Sequence, residues 1–211
     1  MSADNDNRTQ ARFTVEEARA KAQQALRKSE FILSRAYGLL REPRKEWEQI
    51  KAEQTTVPNI LIGYVAPLAA IPPVCDLIGS TLFNRMLQTA PAEALLRALV
   101  TWGVTVALAF LLGLLINALA ENFEADRDEL SAHKIAAYSL TPSFLSGVFS
   151  LWPPLWWLSL FALAAMVFLM YRGLPILMKA PQERALSYAA TVTIAAMVAG
   201  IVLFSLASCV T

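Results

Sequence analysis

Residues 95–119 read LLRALVTWGVTVALAFLLGLLINAL, an apolar run whose one charged residue, Arg97, lies near its start. A helix needs about 20 apolar residues to cross a hydrocarbon layer of about 30 Å. The run is therefore predicted to be a transmembrane helix. Four further apolar stretches of similar kind bring the prediction to five spans, over residues 57–83, 95–119, 135–151, 155–171 and 186–209.

The third and fourth predicted spans are short, and a tight helical hairpin around Trp152, Pro153 and Pro154 accounts for this. Hydrophobic residues make up 56% of the 211, which is too apolar for a soluble domain of that length. The predicted fold is all-α, a polytopic membrane protein with a five-helix transmembrane bundle. Its predicted domains are a cytosolic polar region over residues 1–56, with amphipathic helices, and a membrane domain over residues 57–211.

Basic residues predict the orientation of these spans. Of the 18 Lys and Arg residues, 16 precede the first span or fall in the second and fourth connections, and only Arg85 and Arg97 lie around the first connection. Short cytoplasmic connections are enriched in Lys and Arg. The N-terminus is therefore predicted to be cytoplasmic, and an odd number of spans then places Thr211 outside.

The polar N-terminal region carries two predicted helices. Thr14 followed by Glu17 has the spacing of a capping box, which predicts a helix start, and apolar residues then recur at helical steps as far as Leu40. This stripe is interpreted as a docking face for a soluble protein partner or as the seam of a homo-oligomer.

Pro43 is predicted to open a second, shorter helix that runs to about Glu53, because proline suits a first-turn position. Trp47 and Ile50 share one face of it, opposite charged residues. The favoured interpretation is a helix on the inner headgroup layer, with its indole as anchor or docking face. The alternative is a solvated helix packed on the cytosolic ends of the bundle.

From Arg41 onward the chain resembles a known family. The segments that carry the resemblance are EPRKEWEQIKAE (42–53), TTVPNILIGYVAPLAAIPPVCDLIGSTLF (55–83), AAYSLTPSFLSGVFSLWPPLWWLSL (136–160) and YRGLPILMKAPQERALSY (171–188). They are similar to the five-pass Yip (Ypt-interacting protein) domain family, in particular its bacterial branch. The resemblance implies five transmembrane helices, a cytoplasmic N-terminus, a bacterial cytoplasmic (inner) membrane and no known catalytic activity.

Eukaryotic members of that family bind Rab-type small GTPases, and they carry an acidic Asp-Leu-Tyr-Gly-Pro motif. Here only Asp76-Leu77-Ile78-Gly79 matches it in part. The Rab-binding role is therefore not carried over to this chain.

Asp76 is the only acidic residue inside a predicted span, and ionisable residues within a membrane are functional candidates by default. Seventeen helical residues separate it from Asn59 at the inner edge, a rise of about 25 Å. Asp76 is therefore expected near the outer headgroups, and a solvated carboxylate is favoured over a buried site.

Prolines in the first and third predicted spans indicate a second candidate site. Pro67, Pro72 and Pro73 interrupt the first span and Pro142 the third, and each removes a helical hydrogen bond that must be replaced in lipid. The sequence predicts a polar intramembrane cleft near the inner leaflet. Its candidate residues, with Asp76 as a further intramembrane candidate, are Tyr64, Tyr138, Ser139, Thr141, Pro142 and Ser143. The alternative is a pair of kinked helices whose polar groups satisfy one another.

Catalytic chemistry has little support. His133 is the only histidine, which excludes multi-histidine metal sites, and no glycine-rich phosphate loop occurs. We predict no catalytic, cofactor-binding or metal-binding residue and no nucleic-acid partner. Cys75 and Cys209 are expected to be inert apolar thiols rather than a disulfide.

The sequence therefore predicts a non-catalytic protein that organises the membrane or recruits protein partners at the cytoplasmic face. Its expected surroundings are the lipid bilayer, a partner at the N-terminal helices and a second copy of itself. A small transporter or channel that uses the proline-broken first and third spans is the alternative, since transporters bind substrates at discontinuous helices. A membrane enzyme ranks third.

Overall fold

The computed structural model describes residues 23, 26, 27, 29–82 and 91–208. The predicted capping box at Thr14 and Glu17 lies outside them, as do Phe83 and Cys209. The chain divides into two units, Met1–Tyr37 and Gly38–Thr211. Residues 29–41 are helical. The second unit contains the elements and sites that follow.

All regular structure in the described part of this unit is helical, as predicted. Two short 3₁₀ segments, Ser146–Leu151 and Pro153–Leu158, flank Trp152, and a π-helical segment, Leu61–Val65, follows α2. The α-helices are α1 (Pro43–Ala52), α2 (Val57–Ile60), α3 (Ala66–Ala69), α4 (Ile71–Leu82), α5 (Pro91–Leu119), α6 (Glu129–Ser139), α7 (Thr141–Leu145), α8 (Ser159–Leu177) and α9 (Gln182–Ser208).

Four segments among the described residues are long and apolar enough to cross a membrane: Val57–Ser80, Ala92–Phe123, Pro154–Leu177 and Gln182–Ala207. They correspond to the first, second, fourth and fifth predicted spans. The third predicted span, residues 135–151, is not among them. It consists of short pieces, the end of α6, then α7 and a 3₁₀ segment. The count of five crossings is therefore not confirmed.

One end of the bundle gathers three connections, and we call it the lysine end after Lys134 and Lys179. The ammonium of Lys134, early in α6, donates to the carbonyl of Ile50 at 2.8 Å and to that of Glu53 at 2.6 Å. Lys179, after α8, pairs with Asp126 at 2.6 Å. The C-terminus of α1 and the second and fourth connections therefore share this end.

The opposite end, which we call the tryptophan end, carries exposed Trp152, Trp156 and Trp157. Trp156 also lines a cavity together with Asp76 of α4 and Arg97 of α5. Residues 129–151 therefore run from the lysine end to the tryptophan end.

The broken third segment follows the first span side by side, in the same direction. The hydroxyls of Tyr64 and Thr141 are 2.8 Å apart. Farther along, a Cβ added at Gly147 would lie 2.6 Å from the Cα of Pro72, and one added at Gly79 would lie 2.6 Å from the carbonyl oxygen of Ser150. The two glycines thus permit contact between backbones.

The 3₁₀ geometry explains how a short third segment matches its neighbour. From Tyr64 to Gly79 the first span rises about 22 Å at about 1.5 Å per residue. From Tyr138 to Leu151 the third segment has fewer residues. Its α-helical part, as far as Leu145, rises about 10 Å, and its 3₁₀ part rises about 12 Å at about 2.0 Å per residue, so the total is about 22 Å as well.

Pro67 accounts for the π-helical segment, because its ring would clash with a carbonyl one turn earlier in a regular α-helix. The amide of Ala66 donates to the carbonyl of Leu61, five residues back, and this wider turn makes room. The carbonyl of Ala66 accepts a hydrogen bond from the indole of Trp102 on α5 at 2.8 Å. A neighbouring helix thus supplies a donor to a backbone carbonyl of the interrupted first span, as lipid surroundings favour.

Trp47 and Ile50 are fully buried on the inner side of α1. The indole of Trp47 lies against Gly173 of α8, where an added Cβ would come within 2.8 Å of the ring. It also contacts Tyr138 edge to face, with ring centroids 6.4 Å apart. In this structure the two side chains do not form an exposed face. Their placement corresponds to the alternative, a helix packed on the end of the bundle, because the indole finds a glycine-lined site there.

Candidate functional site

The structure brings together three predicted cleft residues, Tyr64, Tyr138 and Thr141, all buried. The hydroxyl of Tyr64 lies 2.8 Å from that of Thr141, which donates to the carbonyl of Tyr138 at 2.7 Å. The two tyrosine rings are in contact, with centroids 4.6 Å apart. These side chains fill the space between the first and third segments, and their polar groups satisfy one another.

This cluster continues towards α1. The hydroxyl of Tyr138 donates to the carboxylate of Glu53 at 3.3 Å. Lys134 is only 3% exposed, and its ammonium contacts two carbonyls at the end of α1. A cation at a helix C-terminus is favourable, since free carbonyls and the helix dipole make that end negative. The arrangement holds the end of α1 against α6.

The remaining predicted cleft residues take no direct part in this network. Ser139 is buried, and its hydroxyl has no partner among the described residues. Pro142 occupies the first turn of α7, where its missing amide costs no hydrogen bond. Leu140 forms a turn that separates α6 from α7, which begins at Thr141.

Asp76 lies apart from this network, on the rim of the cavity at the tryptophan end. The cavity has a volume of about 580 Å³ and lies between α4, α5 and the 3₁₀ segments. Arg97 lines the same cavity, and both charged side chains are exposed. No ion pair joins these two described residues. This placement agrees with the interpretation of Asp76 as a solvated carboxylate near one membrane surface.

Serine hydroxyls line the inner part of this cavity. Ser80 donates to the carbonyl of Leu77 at 2.9 Å, and Ser150 donates to that of Gly147 at 2.6 Å. Ser146 makes the same kind of bond within its own segment. Each hydroxyl has therefore used its one hydrogen internally, and its oxygen still has lone pairs that can accept a hydrogen bond. The crevice is rich in acceptors.

Ion pairs connect the loops at the lysine end. Arg184 pairs with Glu124 at 3.0 Å, and Lys179 pairs with Asp126 across the second and fourth connections. The hydrogen bond to Asp126, together with the attraction between the charges, raises the pKa of the Lys179 ammonium. Acidic residues of the second connection thus serve as partners for basic residues, and Asp128 caps α6 by accepting from the amide of Ser131.

Sequence reasoning missed Trp102, Lys134 and His133 as structural contributors, and it missed Arg97 as part of the cavity that contains Asp76. His133 is buried, and its ring lies against Phe110 with centroids 5.1 Å apart. Gly113 admits that ring, since an added Cβ would come within 2.5 Å of it. The position of Lys134 could have indicated its role, since it is a lone cation at the start of an apolar span. Nothing local distinguishes Trp102.

Among the residues that the structure describes, no three His, Cys, Asp or Glu side chains are grouped closely enough to hold a metal ion. The side chains of Tyr64, Tyr138, Thr141 and Lys134 bond to the backbone, to Glu53 or to one another. This chemistry supports the assembly of the bundle.

A family model described as the Yip1 domain matches residues 37–204, most of the chain. The chain belongs to the Yip1 domain family. The match covers α1 and extends into α9, so the packed N-terminal helix is part of the Yip1 domain and not an appendage to it. No catalytic activity is indicated by this family.

Two curated relatives of this Yip1 chain are called "Inner membrane protein YohC", one from Escherichia coli strain K12 and one from Escherichia coli O6:H1. Each is 28% identical over 168 residues, which cover 75% of this chain and 86% of the relative. No solved structure matches. The chain is a multi-pass, membrane-embedded Yip1 protein of the inner membrane.

Proposed function

We propose that this Yip1 protein is a non-catalytic membrane scaffold that presents the polar side of α1 to protein partners at the cytoplasmic face. One observation carries the proposal. Trp47 and Ile50 anchor α1 in the bundle and Lys134 holds its C-terminus, so that the orientation of α1 is fixed. A helix held in this way presents its outer side without an ordering cost when a partner binds.

The outer side of α1 is charged and exposed, and we call it the docking surface: Arg44, Lys45, Glu48 and Lys51. Its ion pairs are local, Lys45 with Glu42 at 2.6 Å and Arg44 with Glu48 at 3.6 Å. Exposed pairs of this kind contribute little to stability. A partner with complementary charges can therefore replace them at low cost, which favours reversible recruitment.

Five crossings with a cytoplasmic N-terminus and an outside C-terminus form part of the proposal. The passage of residues 129–151 from one end of the bundle to the other supports a fifth crossing. The excess of Lys and Arg before the first span and in the second and fourth connections supports an inside lysine end.

The lysine-end network favours a scaffold over a transporter. Tyr64 and Thr141 bond to each other where a substrate would need free partners. The proposed arrangement uses the proline-broken spans for packing instead.

Photocrosslinking in whole membranes tests the docking surface. A photoreactive residue at Glu48 of the full-length protein should give a discrete crosslinked product with a protein partner. Lys45→Glu combined with Lys51→Glu should reduce that product, because the charges on this surface are reversed. The matched control is the same photoreactive residue at Trp157, exposed at the tryptophan end, which should not give this product.

Equal products from both positions, or a product unaffected by charge reversal, would rule out the docking surface. Removal of residues 43–53 is not a clean test, since it also exposes the site that Trp47 occupies and leaves the buried Lys134 without its carbonyl partners.

Side-specific labelling of single cysteines tests the topology. A cysteine at Lys179 should react only from the cytoplasmic side, and one at Trp152 only from the outside. Reaction of both from one side would contradict the proposed crossing by residues 129–151.

A further inference from the structure

A second cavity adjoins the crevice that contains Asp76 and Arg97. It has a volume of about 650 Å³ and lies between α5, α8, α9 and the broken third segment. Pro72 and Ser143 line both cavities, so the two are neighbours on either side of these residues. Their combined space runs from a polar mouth at the tryptophan end to an apolar interior.

The second cavity is almost purely apolar. Leu108, Leu112 and Leu115 of α5 line it from one side, and Ala195, Ala196 and Ala199 of α9 line it from the other. Its two threonines keep their hydroxyls bonded to their own helices, Thr105 to the carbonyl of Thr101 and Thr193 to that of Ala189. Hydrocarbon is therefore the occupant that suits this lining.

Small residues on α9 create this space. The sequence predicts close helix packing from the four-residue spacing of Ala195 with Ala199 and Ala196 with Gly200. In the structure the three alanines line the cavity instead, and the nearest atom to a Cβ added at Gly200 would be a methyl of Leu108 at 3.8 Å.

The apolar cavity opens sideways, towards the hydrocarbon layer. Leu111, Leu114, Met197 and Phe204 line it and are exposed on the side of the bundle. Along α5 the lining runs from Thr105 to Ala118, about 20 Å at about 1.5 Å per residue. One leaflet of hydrocarbon is about 15 Å thick. An acyl chain can therefore enter from the bilayer and fit along this length.

The polar mouth carries opposite charges that are not paired with each other. A guanidinium matches a phosphate well, and the Asp76 carboxylate with the serine oxygens can accept hydrogen bonds from an ammonium group. An anionic headgroup without an ammonium would leave Asp76 facing a like charge. Charge complementarity therefore selects a headgroup with one phosphate and one ammonium.

We propose that the crevice and the apolar cavity together hold one zwitterionic phospholipid with a primary ammonium headgroup. Its phosphate lies beside Arg97, its ammonium beside Asp76 and Ser150, and one acyl chain occupies the cavity between α5 and α9. The site is independent of the docking surface, since it lies at the opposite end of the bundle.

Native mass spectrometry of the full-length, delipidated protein in mild detergent tests this site. Phosphatidylethanolamine should bind with one lipid per chain, about tenfold more tightly than phosphatidylglycerol, which corresponds to about 1.4 kcal/mol. Asp76→Asn should abolish that discrimination, because the ammonium loses its charged partner. Arg97→Gln should weaken the binding of both lipids.

Two further variants separate the site from general effects. Glu93→Gln removes an exposed carboxylate at the same end that does not line the crevice, so it should leave the discrimination unchanged. Ala196→Leu narrows the apolar cavity, so it should weaken both lipids while discrimination between them persists. Each variant must elute as a single species, and Ala196→Leu keeps the test informative if Asp76→Asn misfolds.

Three results would overturn the proposal. The first is equal binding of the two lipids by the unaltered protein. The second is a preference for phosphatidylethanolamine that persists in Asp76→Asn, or that Glu93→Gln abolishes to the same extent as Asp76→Asn. The third is displacement of the lipid by free phosphoethanolamine at the same concentration, since a soluble headgroup compound would then be the ligand.

Discussion

The lysine end and the tryptophan end each bring together a carboxylate, a cation and hydroxyl groups, but with different burial. At the lysine end, Lys134 is buried and bonded to carbonyls, and Tyr138 donates to Glu53. At the tryptophan end, Asp76 and Arg97 remain exposed around a crevice and do not pair with each other.

This contrast in burial separates polar groups that stabilise the bundle from polar groups that can bind a ligand. Buried polar groups in a low-dielectric interior must bond to protein, so those of the lysine end hold helices together. Polar groups near a membrane surface can be solvated, so those of the tryptophan end are available for a ligand. Substitution of the buried polar groups at the lysine end should therefore lower stability, and substitution of the exposed Asp76 or Arg97 at the tryptophan end should change lipid binding.

Lys134→Met should have the largest effect on stability. It removes the donor to the carbonyls of Ile50 and Glu53, and buried acceptors without partners cost about 1–3 kcal/mol each. We expect the free energy of unfolding, measured by denaturation in mixed micelles, to fall by about 2–4 kcal/mol.

The matched control is Lys179→Met, which removes an exposed ion pair at the same end and should lower the free energy of unfolding much less, because solvent screens exposed pairs. Similar losses of stability in the two variants would mean that Lys134 contributes no more than a surface charge. The distinction between buried and exposed polar groups would then be wrong.

Gly147→Ala should have the next largest effect. Its Cβ would lie 2.6 Å from the Cα of Pro72, so the first span and the third segment must separate. Overpacking of this kind costs about 1–3 kcal/mol, measurable as a lower thermal unfolding temperature. In Gly103→Ala, where no atom lies within 4 Å of the added Cβ, the protein should gain up to about 1 kcal/mol. Equal responses would remove the evidence for backbone contact.

Trp102→Phe should lower the free energy of unfolding by about 1 kcal/mol, the usual size of a side-chain hydrogen bond between membrane helices. The carbonyl of Ala66 then loses its indole donor beside the break at Pro67. Trp157→Phe, at an exposed position, supplies the control and should change little. An unchanged stability in Trp102→Phe would show that the hydrogen bond from α5 to the carbonyl of Ala66 does not stabilise the first span.

Hydroxyl removal gives the smallest effects and the sharpest contrast. Thr141→Val breaks a chain of two buried hydrogen bonds, which should cost about 1 kcal/mol. Ser150→Ala removes a hydroxyl that faces the crevice, which should cost less than about 0.5 kcal/mol. Parallel denaturation of the two variants measures the difference. A larger loss in Ser150→Ala would show that the crevice is structural.

Sequence reasoning identified four spans well, because each is a long apolar helix whose length is set by the bilayer. It also grouped Tyr64, Tyr138 and Thr141 among the candidate residues of one polar cleft in the proline-broken region. The third segment could not be described in the same way, since α7 and a 3₁₀ segment replace a regular helix there. Its short length becomes sufficient only through the greater rise of the 3₁₀ turns.

Side-chain partnerships from distant parts of the chain were less accessible. Trp47 looked like a headgroup anchor because its neighbours in α1 are charged, and only the glycine at position 173 reveals a buried site for the indole. Arg97 looked like a loop charge, and its place opposite Asp76 depends on how α4 and α5 pack. Such pairings depend on helix rotation, which no local pattern specifies.

The amino-acid sequence alone identifies a helical membrane protein, because hydrophobic length and the cost of burying charge act on each segment separately. Tertiary structure alone decided that α1 packs on the bundle, that the third segment runs beside the first and that Asp76 shares a crevice with Arg97. These features depend on contacts between segments that are far apart in the chain, such as the close backbones at Gly79 and Gly147 and the Trp47 ring against Gly173.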